Sequence, residues 1–165
     1  MLSRGRHEVT VPQRTYTSHH QQLKYIGPKN PIAFPSRSGL DGIALINVLG
    51  KNFNDLVGRD DPMFEGYSES STVLRIEWPG YKSWKRMIAT RKWTRDREPI
   101  KKSKLAFEVA KGVKQFIRQN VNEPITFGEE RWKVGPGFIE VEDLVLVRFV
   151  QVSGASWQAE LRVFE

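Results

Sequence analysis

In the stretch "WKRMIATRKWTRDR", residues 84–97, two tryptophans are interleaved with cations; Lys82 precedes it, and Lys101 and Lys102 follow. These residue types suit phosphate chemistry. Lys and Arg displace the counterions condensed on a polyanion, and an exposed ring or guanidinium plane stacks on an unpaired base. The candidate nucleic-acid-binding residues are therefore Lys82, Trp84, Lys85, Arg86, Arg91, Lys92, Trp93, Arg95, Arg97, Lys101 and Lys102. The same pattern also describes a solvated edge strand, with cations that block aggregation and rings that belong to the core. An acidic protein or a lipid surface would meet the same charge. No RNA-binding, zinc-finger or leucine-zipper signature accompanies the block, so no sequence specificity follows from it.

The acidic stretch "GRDDPMFEG" is where a metal-dependent hydrolase or nuclease would have to sit. Asp60, Asp61 and Glu65, joined by Glu77 across the fold, supply the oxygen ligands that a divalent cation takes. Asp-Asp-Pro equally marks a turn with side-chain caps, with Arg59 as an ion partner. Glu77 is followed by Trp78 and Pro79, not by a lysine two positions on as metal-dependent nucleases commonly have. The three histidines, His7, His19 and His20, lack the spacing of a metal site and read as solvated. "VGPGF" has neither the downstream Lys-Ser/Thr nor the strand-to-helix context of a phosphate loop, and reads as a tight turn. No cofactor is expected.

Charge is distributed unevenly. Of the net +7, residues 1–37 carry +5, 38–81 carry −4, 82–104 carry +8 and 105–165 carry −2. Such asymmetry points to a polyanionic partner, nucleic acid or an acidic protein, more strongly than the same charge spread evenly. The chain has no cysteine, which excludes disulfide scaffolds, thiolate metal sites and thiol catalysis. An intracellular location, nuclear or cytoplasmic, is the expectation, since neither a membrane span nor an apolar signal block occurs. The basic N-terminus resembles a mitochondrial transit peptide in composition, but its prolines interrupt the amphipathic helix such a peptide needs.

The elements that would position these residues can be read from periodicity. Residues 1–37, basic and polar with four prolines, predict a mostly flexible arm outside a single domain spanning 38–165. Ser38 is expected to cap a first helix with Leu40, Ile43, Ala44, Ile46 and Val48 or Leu49 on its apolar stripe. "TVLRIEW" alternates as a strand with Leu74, Ile76 and Trp78 inward. Pro79-Gly80 then predicts a type II turn, and a two-residue loop would set Glu77 against Lys82 and Trp78 against Tyr81 before a second strand at 81–90. Ser103 is expected to cap a long helix whose face is Leu105, Ala106, Val109, Ala110, Val113, Phe116 and Ile117. Three β segments follow: two arms around Gly135-Pro136-Gly137, "LVLVRFVQV" as a strand buried on both faces, and "SWQAELRVF" with Trp157, Ala159, Leu161 and Val163 inward, the last two joined at Ser153-Gly154. The order predicts an α+β fold, a mainly antiparallel β-sheet with two helices packed on one face.

Taken together, "GRDDPMF", "LRIEWPGY" with "KKSKLAFEVAKGVKQFI", and "WKVGPGFIEVEDLVLVRFVQVSGASWQAEL" resemble a multicopy family of uncharacterised proteins from mushroom-forming basidiomycete fungi. The resemblance covers residues 40–163 and implies a fungal, intracellular source. It brings no activity, cofactor or catalytic residue to any position. The reading of the residues leaves three functions: a non-enzymatic nucleic-acid-binding module, a scaffold module that docks an acidic partner, and the metal-dependent hydrolase.

Overall fold

The computed structural model describes residues 7–17 and 31–164. Two long apolar segments form its centre: β6 (Leu144–Gln151) and β7 (Ser156–Phe164) pair antiparallel around the Ser153-Gly154 turn, where Val152 N donates to Ser156 O at 2.9 Å. A register shift between Leu146 and Arg148 frees the Val147 carbonyl to accept from Phe34 N at 3.0 Å. Two strands share the far edge of β7 end to end: β4 (Ser71–Ile76) runs parallel beside residues 156–158, and β1 (Glu8–Thr10) runs antiparallel beside 162–164. The outer edge of β6 is shared in the same way by β3 (Ile43–Ala44) and β2 (Ile32–Ala33). β5 (Trp84–Ala89) pairs antiparallel with β4 and is the last strand on that side. The fold is α+β with a mainly antiparallel seven-stranded sheet. Among the described strands the one parallel pair, β4 with β7, needs a crossover, and the intervening chain makes it through α2 (Lys102–Asn120).

The predicted face of α2 is buried throughout, from Leu105 to Ile117, and packs with Leu74, Ile76 and Trp78 in the core. Each Leu, Val, Ile or Phe side chain so removed from water contributes about 1.5–3 kcal/mol. Gly112 sits where the helix meets the sheet: a Cβ there would lie 2.6 Å from Leu74 Cδ2. Trp78 is fully buried, packs 5.7 Å from the Phe116 ring and donates its Nε1–H to Trp132 O at 2.7 Å. Gln13 completes the edge of β7 where β4 ends. Its Nε2 donates to Ala159 O at 2.6 Å and its Oε1 accepts from Glu77 N at 3.0 Å, so one side-chain amide stands in for a peptide group. Among the described residues no helix is long and apolar enough to cross a membrane.

Several expectations are corrected. The described parts of the 1–37 segment are not a free arm: they form β1 and β2, and Val11 and Phe34 are buried in the core. His19, His20 and Pro28 lie outside the described residues, and His7 is exposed. The first helix, α1 (Leu45–Leu49), is only five residues long and is not capped by Ser38, because Ile43 and Ala44 are drawn into the sheet by the open edge of β6. Leu40 and Ile46 are consequently exposed. Around Pro79-Gly80 the turn forms, with Tyr81 N to Trp78 O at 3.2 Å and Gly80 at φ +87°, but the strands do not resume beside it. β4 ends at Ile76 and β5 begins at Trp84, so a seven-residue loop replaces the two-residue one and Glu77 does not face Lys82. Finally α2 begins before Ser103. The Asp61 and Arg59 carbonyls accept from Lys102 N and Ser103 N at 2.9 and 3.0 Å, so no side-chain cap is required.

Candidate functional site

Pleating sends the residues of the basic block in different directions. The pairs Thr72–Ile88, Leu74–Arg86 and Ile76–Trp84 put Trp84, Arg86 and Ile88 on the face covered by α2, and Lys85 and Met87 on the opposite one. Trp84 is half-buried against Phe116, with ring centroids 6.2 Å apart, and donates Nε1–H to Gln119 Oε1 at 2.7 Å. It is a packed ring and not the stacking platform its spacing suggested. Arg86 is held by Glu108 at 3.3 Å. Lys82 lies beyond the start of β5, in a polar cleft of about 690 Å³ that Arg14, Trp84 and Glu123 also line. The run from Trp84 to Ala89 spans about 17 Å at strand rise, which separates Lys82 from the cations that follow β5.

Those later cations do come together. Between the end of β5, the 90–100 loop and the first turns of α2 lies a groove of about 470 Å³, with Ala89, Trp93 and Ile100 as apolar walls and Arg91, Lys92, Lys101 and Lys104 as basic ones. Trp93 is 87% exposed and takes no part in the core. The loop that carries it is braced: Lys92 N bonds Glu98 O at 2.8 Å, and Arg91 donates to Arg97 O at 3.2 Å and to Tyr67 O at 3.5 Å. Arg91 is thus a positioning residue, using its planar fork to tie the loop to its neighbour. Arg97, at φ +43°, lies 5.9 Å from the Trp93 ring, and Arg95 is exposed nearby in sequence. Lys92 pairs with Glu98 at 3.3 Å and Lys101 with Asp60 at 3.5 Å, both at the surface where water screens them. Lys102 is half-buried beside the 58–61 loop.

Glu108 also lines the groove. Its side chain is 15% exposed; Oε1 accepts from Lys104 at 3.0 Å and Lys111 at 2.9 Å, and Oε2 meets Arg86 at 3.3 Å. Partial burial opposes its ionisation, but the hydrogen bonds and charges of Lys111 and Lys104 prevail and hold the carboxyl below its usual value.

The acidic cluster does not assemble. Among the described residues no three of His, Asp and Glu converge as a metal ion would require. Asp60 is exposed and pairs with Arg59 at 3.8 Å as well as Lys101, Asp61 gives its carbonyl to α2, and Glu65 is exposed. Glu77 is buried elsewhere and accepts from Ser83 Oγ at 2.6 Å. The stretch forms the turn that Asp-Asp-Pro also indicated, with Asp61 N donating to Gly58 O at 2.9 Å and Arg59 as an ion partner of Asp60.

Sequence reasoning missed Ala89, Ile100, Ser103, Lys104 and Glu108 as groove residues. Glu108 carries a signal, since it stands at i+4 from Lys104 and i−3 from Lys111 on the polar side of α2. Ala89, Ile100 and Ser103 become groove neighbours only through the tertiary fold. Comparison of the chain with protein-family models, with curated proteins and with solved structures gives no match, and the geometry of the groove carries the functional argument.

Proposed function

We propose that the protein is a non-enzymatic binding module for single-stranded nucleic acid, which stacks a base on Trp93 and holds flanking phosphates with Lys92, Arg95, Arg97, Lys101 and Lys104. The observation that carries this reading is Trp93 itself: a tryptophan 87% exposed, on a braced loop, beside a basic groove. Leaving an indole in water forgoes about 1.5–3 kcal/mol of burial that folding could have used, and a base supplies the missing contact. Single strands are favoured because only an unpaired base presents its face to one ring.

The test is anisotropy titration of labelled single-stranded and duplex oligonucleotides of one sequence at 50 and 200 mM salt. Three or four phosphate contacts on a single strand give a slope of log K against log salt near −2 to −3, a loss of roughly 20- to 60-fold over that range. Single strands bind more tightly than duplex, and the pair Lys92→Glu and Lys101→Glu abolishes binding without unfolding the protein. No binding at low salt sinks the proposal.

One observation favours the scaffold alternative. β5 is the terminal strand of the sheet, and Met87 on its outer face is 68% exposed beside Lys85. That edge fits an acidic extended peptide added as a further strand. A captured partner that survives nuclease treatment and is lost on Met87→Glu supports this reading; a partner lost with nuclease refutes it.

A further inference from the structure

A second basic cluster lies next to the groove, joining Lys104 of the 82–104 block to Lys51 and Lys111 outside it. Phe107, half-buried on α2, has three ammonium groups around its ring: Lys111 Nζ at 4.8 Å from the centroid, Lys51 at 5.6 Å and Lys104 at 5.7 Å. Lys104 and Lys111 share Glu108 Oε1 at 3.0 and 2.9 Å, so their ammonium groups are within twice that distance of each other. Arg86 takes the other carboxylate oxygen. Three cations thus converge on one carboxylate and Lys51 joins them at the Phe107 ring, leaving three positive charges uncompensated among the described residues. Cations held this close repel one another, and an added anion relieves that repulsion.

Lys51 strengthens the argument. It follows Gly50 at the end of α1 and has φ +58°, the left-handed region where a helix end ordinarily places glycine. Backbone strain is accepted there, and what it secures is an ammonium group over Phe107.

We propose that Lys51, Lys104 and Lys111 form a phosphate site for the same nucleic-acid strand whose base stacks on Trp93, with Lys104 common to the groove and the cluster. This rests on the proposed function and extends it: the strand leaves the groove along the first half of α2, toward the end of α1. Lys51 and Lys111 do not line the groove, and Lys111 stands about 10 Å beyond Lys104 along the helix axis although Glu108 draws their ammonium groups together. A short oligonucleotide is therefore held by the groove alone, and a longer one reaches both sites.

The variants are Lys51→Gly and Lys111→Gln, singly and together, titrated with labelled oligothymidylates of three and about eight residues, the longer within the usual span of single-strand binders. Lys51→Gly removes the cation and the strain together, so its melting temperature is at or above wild type while its affinity for the longer strand falls several-fold. The double variant loses at least tenfold on the longer strand, its salt slope is shallower by about 1.4 for two contacts at 0.7 each, and its affinity for the trinucleotide is unchanged. Unchanged affinity and slope on the longer strand, with wild type binding normally, overturn the second site and leave the Trp93 reading intact. Wild type that binds neither strand overturns both.

Discussion

Replacing Trp93 and Trp84 by alanine, one at a time, separates a binding ring from a packing ring. Trp84 is half-buried, contacts Phe116 at 6.2 Å and bonds Gln119 at 2.7 Å. Full removal of a core tryptophan costs about 3–5 kcal/mol, and this ring is open to solvent on one side, so Trp84→Ala should cost about 2 kcal/mol. For a chain of this size that lowers the melting temperature by about 4–8 °C. Trp93, at 87% exposure, has little to lose, and Trp93→Ala should stay within about 0.5 kcal/mol of wild type. Binding reverses the order. One base stacked on an aromatic ring contributes about 1–3 kcal/mol, so Trp93→Ala should weaken single-strand affinity by roughly 5- to 150-fold. Trp93→Phe, which keeps a π face, should recover most of that loss. Thermal melts and anisotropy titrations on the same preparations give both quantities. Equal affinity in Trp93→Ala and wild type would refute the stacking role, and a melting temperature lowered as far as in Trp84→Ala would refute its exposure.

Glu108→Gln should move stability and binding in opposite directions: loss of three cation contacts costs about 1–2 kcal/mol, while one fewer negative charge tightens polyanion binding. Because the folded-state value of Glu108 is lowered, its stabilisation is present above the ordinary glutamate range, about pH 4.3, and is lost as pH falls through the folded value. Urea unfolding across that range should show a flatter acid limb in Glu108→Gln than in wild type. Gly112→Ala gains about 1 kcal/mol of helix propensity but drives a Cβ to 2.6 Å from buried Leu74, where overpacking costs about 1–3 kcal/mol; a more stable variant would show that the helix and sheet are not in close contact. Gln13→Ala leaves the Ala159 carbonyl and the Glu77 N–H without these partners and should cost about 2–4 kcal/mol by chemical denaturation. A loss within 0.5 kcal/mol would return the N-terminal segment to the status of a loose arm.

How much could be read in advance followed the length of each element. In α2 the apolar face repeats over 19 residues, and β4, β6 and β7 alternate or run apolar for six to nine, long enough for period to identify them. β1, β2 and β3 are two or three residues each, stabilised by the edges they join. Their signals, Val9 with Val11 and Ile32 with Phe34, were present but were outweighed by the polar, proline-rich composition around them. Ile43 and Ala44 misled in the opposite sense, because helical spacing yielded to an unpaired strand edge.

The candidate site divides in the same way. Its residue types, a tryptophan among lysines and arginines in a block of net +8, are properties of the chain alone, and they are the types that suit an anionic partner. Which residues share a surface is a matter of pleat and crossover. One residue of strand turns a side chain to the opposite face, so Trp84 goes under α2 while Lys85 faces away from it. The return of the chain through α2 then brings Lys104 and Glu108 to the loop of Trp93, and Lys51 to Phe107. Composition determined the charge and the rings; long-range packing, to which local periodicity is blind, decided which ring was left in water.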